Sequence, residues 1–170
     1  KVIVERSIPL DKALEDGLLA WELNGEPINL SHGGPLRLVV PGYYGVNNVK
    51  YLKRLAAAAE ETDAKIQASS YRVRPIGKRA TKSQPTMWAM NVKSWVDDPL
   101  GDKALKVGIV DVTGVAFCGE SPIQSVEVST DGGANWAPAE MVGTDMGPYA
   151  WRRFSYRWDA SPGQHVIASR

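Results

Sequence analysis

The sequence predicts an α+β region over residues 1–83 followed by an all-β sandwich of the immunoglobulin type over residues 84–170. Signals for helices and strands alternate in the first region, whereas the second contains short alternating strands separated by turn residues. A connector that contains lysine and proline lies between the two regions. A chain of 170 residues with 44% hydrophobic content is large enough for one large or two small cores.

The first region begins with a short predicted helix and a hairpin. Residues 6–17 predict the helix, because their proline suits a first turn and their final glycine suits a C-terminal cap. Residues 18–23 predict a strand. The pair Asn24-Gly25 favours a type I′ turn, which returns the chain into residues 27–30.

A strand, a turn and a helix are predicted next. Residues 36–40 form a strand-like run that stops at Pro41, which has no N–H group to offer to a sheet. A glycine-containing turn follows. Residues 46–59 then predict a helix, because their apolar residues recur at near-helical spacing.

Three side chains with hydrogen-bond donors lie near the start of this predicted helix: His32, Arg37 and Lys50. The first turn of a helix offers unpaired backbone N–H groups and the positive end of the helix dipole. Arginine and lysine are common ligands of phosphate. The pattern therefore predicts a site for a phosphate or another polyanion, although the same order of elements also occurs in α/β proteins without such a site.

A basic run follows within residues 64–82. Five cationic residues occur within residues 72–82, and no acidic residue interrupts them: Arg72, Arg74, Lys78, Arg79 and Lys82. A run of this kind is typical of a solvated surface, and it is also compatible with a binding site for an anionic ligand.

The second region is predicted to consist of short strands. These strands are residues 105–112, 114–118, 123–129, 151–158 and 165–169. Residues 129–136 predict a hairpin turn, because glycines stand where a positive φ is needed. Strands at this spacing are typical of a sandwich.

Several classes of protein are disfavoured by composition. A net charge of +1 gives no reason to expect a nucleic acid or a membrane surface as a partner. No apolar run approaches the ~18 residues of a membrane span, and residues 1–5 do not have the composition of a signal peptide. Cys118 is the single cysteine, which excludes an internal disulfide, a cysteine-built metal site and a haem-attachment motif. We expect it to be a small buried hydrophobe.

Residues 32–52 resemble the segment "HGFP(L/V)R(L/V)VVPG…G…VKWL" of the sulfite oxidase and assimilatory nitrate reductase family of molybdenum enzymes. The matching positions are His32, Gly33, Pro35, Arg37, Val39, Val40, Pro41, Gly42, Gly45, Val49, Lys50 and Leu52. Gly34 departs from the usual Phe, and Tyr51 from the usual Trp. The preceding "LLAWELNGEPI" and the hairpin "VEVSTDGGANW" are also similar to segments of this family, the latter from its C-terminal dimerisation domain.

The resemblance implies a molybdenum–molybdopterin cofactor. His32, Arg37 and Lys50 would bind the pterin and its phosphate, assisted by the backbone N–H groups of Asn48 and Val49. The catalytic tyrosine of the family lies about 21 residues after its motif lysine, which leads here to Tyr71. A tyrosine at this position could instead have a packed ring and a solvated hydroxyl group.

The implied activity is oxidation of sulfite to sulfate, with electrons passed to a separate cytochrome c by a periplasmic homodimer. Nitrate reductase and sulfane dehydrogenase are alternatives with the same fold, and a non-catalytic dimerisation module is a further alternative. Both regions are expected to be incomplete. The family's molybdenum-ligating cysteine is expected outside this chain, in the remaining part of the same enzyme, because Cys118 lies in the sandwich region.

Overall fold

A computed structural model describes residues 4–101 and 104–170. The chain divides into two compact units, Lys1–Met90 and Asn91–Arg170. The boundary between the units lies after Met90, a few residues later in the chain than the predicted boundary after residue 83. The shift arises because the connector segment around Trp88 is hydrogen-bonded to the first unit. Trp88 Nε1 donates to Ser7 O at 3.0 Å, and Tyr44 N–H donates to Trp88 O at 2.9 Å.

The first unit contains short elements. These are helix α1 (Leu10–Glu15), strands β1 (Leu18–Ala20), β2 (Glu22–Leu23), β3 (Glu26–Pro27) and β4 (Arg37–Val39), 3₁₀ turns at Leu30–His32 and Gly45–Asn47, and a π-helical turn at Ile66–Ser70. Strand β1 pairs antiparallel with β4, and β2 with β3. The predicted type I′ turn is confirmed, because Asn24 and Gly25 have φ of 54° and 82°. The predicted helix over 6–17 is shorter than expected, with Pro9 as its N-cap.

The predicted helix over 46–59 is wrong. Only the 3₁₀ turn Gly45–Asn47 forms there, because the side chain of Asn48 binds nearby backbone instead. Its Oδ1 accepts the Val40 N–H at 2.7 Å, and its Nδ2 donates to Tyr44 O at 3.2 Å. The following residues then run beside β4, where Leu38 N–H donates to Val49 O at 2.9 Å. The helix N-terminus that supported the predicted anion site is therefore absent from residues 46–59.

Much of the apolar surface of the first unit is exposed. Helix α1 buries none of its residues, and its Leu10 and Leu14 are 61% and 78% exposed. Trp21 is 62% exposed. Among residues 4–90, the buried apolar residues are Val40, Tyr43 and Ala68. This is a small core for a unit of this length.

The second unit consists of two antiparallel sheets. Its strands are β5 (Lys93–Asp98), β6 (Gly108–Phe117), β7 (Glu127–Ser129), β8 (Ala137–Pro138), β9 (Glu140–Val142), β10 (Arg152–Ala160) and β11 (Ala168–Ser169). One sheet has the order β5-β6-β10-β9, and the other β11-β7-β8. Buried residues of β6, β10 and β7, among them Val112, Phe154 and Val128, form a shared core. A two-sheet β unit is thus observed, and its immunoglobulin topology stays a prediction.

Strand β6 differs from the prediction of two separate strands over 105–112 and 114–118. It continues through Gly114, where a glycine is needed for packing: a Cβ atom there would lie 2.2 Å from Phe154 Cζ. The turn between β7 and β8 is confirmed, with Gly132 and Gly133 at φ of 72° and 94°. Strand β5 was not predicted.

Candidate functional site

Two of the predicted anion-binding side chains, Arg37 and Lys50, contact the turn that contains the third, His32. Arg37 Nη1 donates to His32 O at 2.8 Å, and Lys50 Nζ donates to Ser31 O at 2.8 Å. Lys50 also packs on Gly33, where an added Cβ would lie 2.5 Å from Lys50 Cγ. The structure therefore brings His32, Arg37 and Lys50 together, although the helix expected beside them does not form.

Local hydrogen bonds hold this turn in place. Asn29 caps it, since its Oδ1 accepts the His32 N–H at 3.0 Å. Tyr51 closes the other side: its hydroxyl donates to Leu30 O at 2.7 Å and its N–H to Gly33 O at 2.9 Å. Gly33 has φ of 100°, which lets the chain leave the turn toward β4.

The cationic groups retain donors for a ligand. Arg37 Nε is buried and has no hydrogen-bond partner among the described residues. A guanidinium has five N–H donors and an ammonium three, so one bond from each to the turn leaves others available. His32 and Lys50 are exposed. The chemistry of this set suits a phosphate-bearing anion, which would also provide an acceptor for Arg37.

Asn48 and Val49 have structural contacts. Asn48 N–H donates to Gly45 O at 3.0 Å, so the contact expected from this N–H to a ligand is replaced by a turn hydrogen bond. Its side chain binds Val40 N–H and Tyr44 O. Asn48 therefore shapes the loop that carries Lys50. Val49 is half-buried, and its carbonyl accepts the Leu38 N–H.

Tyr71 lies with a different group of residues. It ends the π-helical turn, is 42% exposed, and its ring centre lies 6.0 Å from the guanidinium carbon of Arg6. Its carbonyl accepts the Met87 N–H at 3.0 Å. No contact described within residues 4–101 joins Tyr71 to the turn that carries His32.

Arg6 and Asn47 form a polar core that the sequence did not predict. Arg6 donates from Nε and Nη2 to Asn47 Oδ1 at 3.2 and 2.7 Å, and from Nη1 to Ile66 O at 3.0 Å. Asn47 is fully buried and its Nδ2 faces the carbonyls of Tyr44, Met87 and Trp88. Burial, followed by repulsion from Arg72, lowers the pKa of Arg6. The partners are far apart in sequence, so no local pattern could reveal them.

Ser7 connects the same core to other segments. Its carbonyl accepts Trp88 Nε1 at 3.0 Å and Gln67 Nε2 at 3.3 Å. Its hydroxyl accepts the Thr62 N–H at 2.9 Å. Gln67 is fully buried and donates to Glu61 Oε2 at 2.7 Å. Residues 6 and 7 therefore hold together the segments that surround Tyr71.

Arg72 is not part of the exposed basic run. It is only 8% exposed, and it donates from Nη1 to Thr86 Oγ1 at 2.6 Å and to Gln84 O at 3.1 Å. Its Nη2 lies 3.8 Å from Glu61 Oε2. The expectation that Arg72 belongs to a solvated surface, or attracts an anionic ligand there, is wrong, because these contacts use it to close a loop. Arg74, by contrast, is exposed.

A cavity of 670 Å³ in the second unit is lined by Trp158, His165 and Lys106, among others, and contains none of the predicted site residues. Within residues 4–101 and 104–170, no group of three or more His, Cys, Asp or Glu residues is placed to hold a metal ion. No helix in the same ranges is long and apolar enough to cross a membrane.

Family comparisons match both units. The oxidoreductase molybdopterin binding domain matches residues 1–66, and the Mo-co oxidoreductase dimerisation domain matches residues 84–163. The chain belongs to the sulfite oxidase and nitrate reductase family. The family indicates a molybdenum–molybdopterin cofactor, and residues 1–66 include the turn with His32, Arg37 and Lys50.

Individual relatives of this chain are sulfite oxidases and a nitrate reductase, which agrees with the family match. Human mitochondrial sulfite oxidase is 33% identical over 172 residues, with 95% of this chain and 32% of the relative covered. Sulfite oxidase from Arabidopsis thaliana is 32% identical over 183 residues, covering 95% of this chain and 46% of the relative. A nitrate reductase [NAD(P)H] from Hordeum vulgare is 30% identical over 154 residues, covering 81% of this chain and 17% of the relative. The chain thus spans less than half the length of these relatives.

A solved structure has a similar fold. The sulfane dehydrogenase SoxCD from Paracoccus pantotrophus matches with a TM-score of 0.81 and 33% sequence identity. The match covers 97% of this chain and 42% of that one.

Proposed function

We propose that this chain is part of a molybdenum-cofactor enzyme that oxidises sulfite to sulfate and passes the electrons to a separate cytochrome c. The observation that supports this most directly is the turn that contains His32 and accepts hydrogen bonds from Arg37 and Lys50, because it lies within the residues that match a molybdopterin-binding domain. The similarity to sulfite oxidases over 95% of the chain supports the choice of substrate.

In this proposal the turn holds the phosphate of the cofactor. Lys50 and His32 are exposed and can reach a ligand, whereas the buried Nε of Arg37 gains the acceptor that it lacks among the described residues. The N–H of Val49 assists. The bound cofactor supplies the two-electron redox chemistry.

Tyr71 is proposed as the residue of this chain that meets the substrate. Its phenol hydroxyl can donate a hydrogen bond to a sulfite oxygen and share a proton during turnover. The guanidinium of Arg6, 6.0 Å from the ring centre, adds positive charge that favours an anion beside the ring. Arg6 is in turn fixed by Asn47.

The remaining part of the same enzyme is proposed to cover the exposed apolar residues of the first unit. Leu10, Leu14 and Trp21 have the exposure expected of residues at an interface. Residues 84–163 match a dimerisation domain, so a homodimer formed through the second unit is part of the proposal, as is a periplasmic location.

Replacement of Tyr71 by Phe tests the catalytic assignment. We expect the sulfite turnover of the molybdenum-loaded, full-length protein to fall by ~10- to 100-fold, the scale of a lost proton-handling group. Molybdenum content should stay unchanged. Unchanged turnover would remove Tyr71 from the site.

Molybdenum content tests the cofactor assignment without an activity measurement. Arg37→Ala and Lys50→Ala should each reduce the content from about one per chain, because each removes a donor to the proposed phosphate. Lys53→Ala is the matched control, since Lys53 is an exposed cation outside the turn. Absence of molybdenum from the unsubstituted protein, after expression in a cofactor-competent host, would favour a non-catalytic dimerisation module.

Substrate assays separate the related activities. The full-length protein should reduce oxidised cytochrome c with sulfite and should not oxidise reduced viologen with nitrate. The similarity to SoxCD favours sulfane dehydrogenase as a second candidate, which a persulfide-bearing thiol as substrate would reveal. Nitrate turnover without sulfite turnover would reject the proposed function.

A further inference from the structure

A loop over residues 73–85 directly follows Tyr71 and the buried Arg72, and we call it the basic loop. Its ends are fastened together, because Val73 N–H donates to Pro85 O at 2.9 Å. Arg72 lies at its base and binds both Gln84 O and Thr86 Oγ1. The basic loop therefore starts beside the proposed substrate residue and returns to the same place.

Hydrogen bonds inside the basic loop give it a defined shape. Lys78 N–H donates to Pro75 O at 3.2 Å, and Gln84 N–H donates to Thr81 O at 3.2 Å. The side chain of Gln84 binds both sides of the turn: its Nε2 donates to Arg79 O at 3.4 Å, and its Oε1 accepts the Thr81 N–H at 3.0 Å. A loop ordered in this way loses little conformational entropy when a partner binds.

The surface of the basic loop is cationic and includes one fully exposed apolar side chain. Its four cations, Arg74, Lys78, Arg79 and Lys82, are all exposed, and residues 73–85 contain no acidic residue. In the part of the chain that the structure describes, no carboxylate pairs with any of the four. Ile76 is fully exposed, at 103%. The whole chain has a net charge of only +1, so positive charge is concentrated here.

We propose that the basic loop is the docking surface for the acidic face of a protein electron acceptor, an inference that rests on the proposed function. Cations with no partner in the chain attract a surface of opposite charge and increase the rate of its association. Ile76, which is exposed and lies between Arg74 and Lys78 in the sequence, supplies an apolar contact within this cationic segment, as protein interfaces commonly have. Ile76 and the partly exposed Val73 offer little area for insertion into lipid, so a protein is favoured over a membrane.

The position of the basic loop suits the electron balance of the reaction. Sulfite and water give sulfate, two protons and two electrons, so two acceptor molecules each leave with one electron. An acceptor bound at the basic loop lies next to Tyr71, the residue proposed to meet the substrate.

Binding of two oxidised haem proteins, without sulfite, tests the inference on the full-length protein. The probes are the haem domain of cytochrome b5, whose surface is acidic, and a cytochrome c with a basic surface. At low ionic strength the acidic probe should bind measurably tighter than the basic one. Lys78→Gln/Arg79→Gln should weaken its binding by about tenfold, and Ile76→Ser should weaken it further.

Lys106→Gln/Arg157→Gln is the matched control, because it removes two exposed cations from the second unit. It should change the binding of the acidic probe by less than about twofold. The side chains of Lys78 and Arg79 make no hydrogen bond in the described structure, so the loop variant should keep the melting temperature of the parent. Equal binding by the loop and control variants, or equal binding of the two probes, would overturn the inference.

Two further outcomes are informative. The parent could sediment with vesicles that contain 30% anionic lipid while the loop variant does not, and the acidic probe could fail to bind. That result would overturn the inference in favour of a membrane. Loop-dependent binding of the acidic probe by a protein that does not oxidise sulfite would support the docking surface and reject the proposed substrate.

Discussion

Replacement of Asn47 by Ala should strongly destabilise the first unit. The side chain is fully buried, accepts two N–H groups of Arg6 and donates to backbone carbonyls. If the two N–H groups of Arg6 that share one oxygen are counted as one charge-assisted interaction of ~2 kcal/mol, and two amide donor bonds as ~1 kcal/mol each, the loss is ~4 kcal/mol. This is a large part of the ~5–15 kcal/mol that stabilises a typical domain.

Asn47→Asp and a double-mutant cycle separate the contributions. Asp retains the acceptor for Arg6 but turns an oxygen toward the carbonyls of Met87 and Trp88, so it should still destabilise the unit although the bonds to Arg6 remain. Urea unfolding of the parent, Asn47→Ala, Arg6→Ala and the double variant should give a coupling energy of ~2 kcal/mol. A coupling below ~0.5 kcal/mol, with additive single effects, would refute the reasoning, because the two side chains would then not act as one unit.

Two other predictions concern the backbone and pH. Gly34→Ala should lose ~3 kcal/mol of unfolding free energy, because an added Cβ would lie 1.8 Å from Ile28 O. Gly45→Ala is the control and should be almost neutral, since no atom lies within 4 Å of its added Cβ. Similar losses for both variants would contradict the predicted clash. Hydrogen bonds from the backbone and side chain of Asn135 and from Ser129 lower the pKa of Asp131 from 3.8 to about 2. Its stabilising contribution is therefore complete above pH 3.8 and is lost as the pH falls through about 2. The melting-temperature difference between the parent and Asp131→Ala should be smaller at pH 2 than at pH 6, and an equal difference at both would show that the carboxylate has no such role.

Features set by neighbours in sequence were predictable. The Asn24-Gly25 hairpin, strand β4 and the Gly132-Gly133 turn follow from local backbone preferences, and each is present. Arg37 and Lys50 were expected near His32, and both bond the turn that contains it, although the anion site itself stays a prediction. No helix forms there, and the turn capped by Asn29 holds them instead.

Features set by distant contacts were not predictable. Residues 46–59 have helical spacing, but the bond from Val40 N–H to Asn48 Oδ1 fixes another path. Arg72 belongs to a basic run by sequence, and its burial depends on Thr86 and Glu61. Arg6 belongs to the polar core because it donates to Asn47, which lies far from it in the sequence. In each case a polar side chain forms a hydrogen bond or ion pair with a group outside its own local segment. Hydrophobic periodicity carries no information about such bonds.

The contacts of Ser7 have a practical consequence for the design of shortened proteins. A version that starts after this residue would leave the indole of Trp88 and the amide of Gln67 without their shared acceptor, and would free the chain at Thr62. Tyr71 would lose its neighbouring guanidinium in the same deletion. Expression trials should therefore keep Arg6 and Ser7, and limited proteolysis that cuts before Arg6 should leave the region around Tyr71 intact.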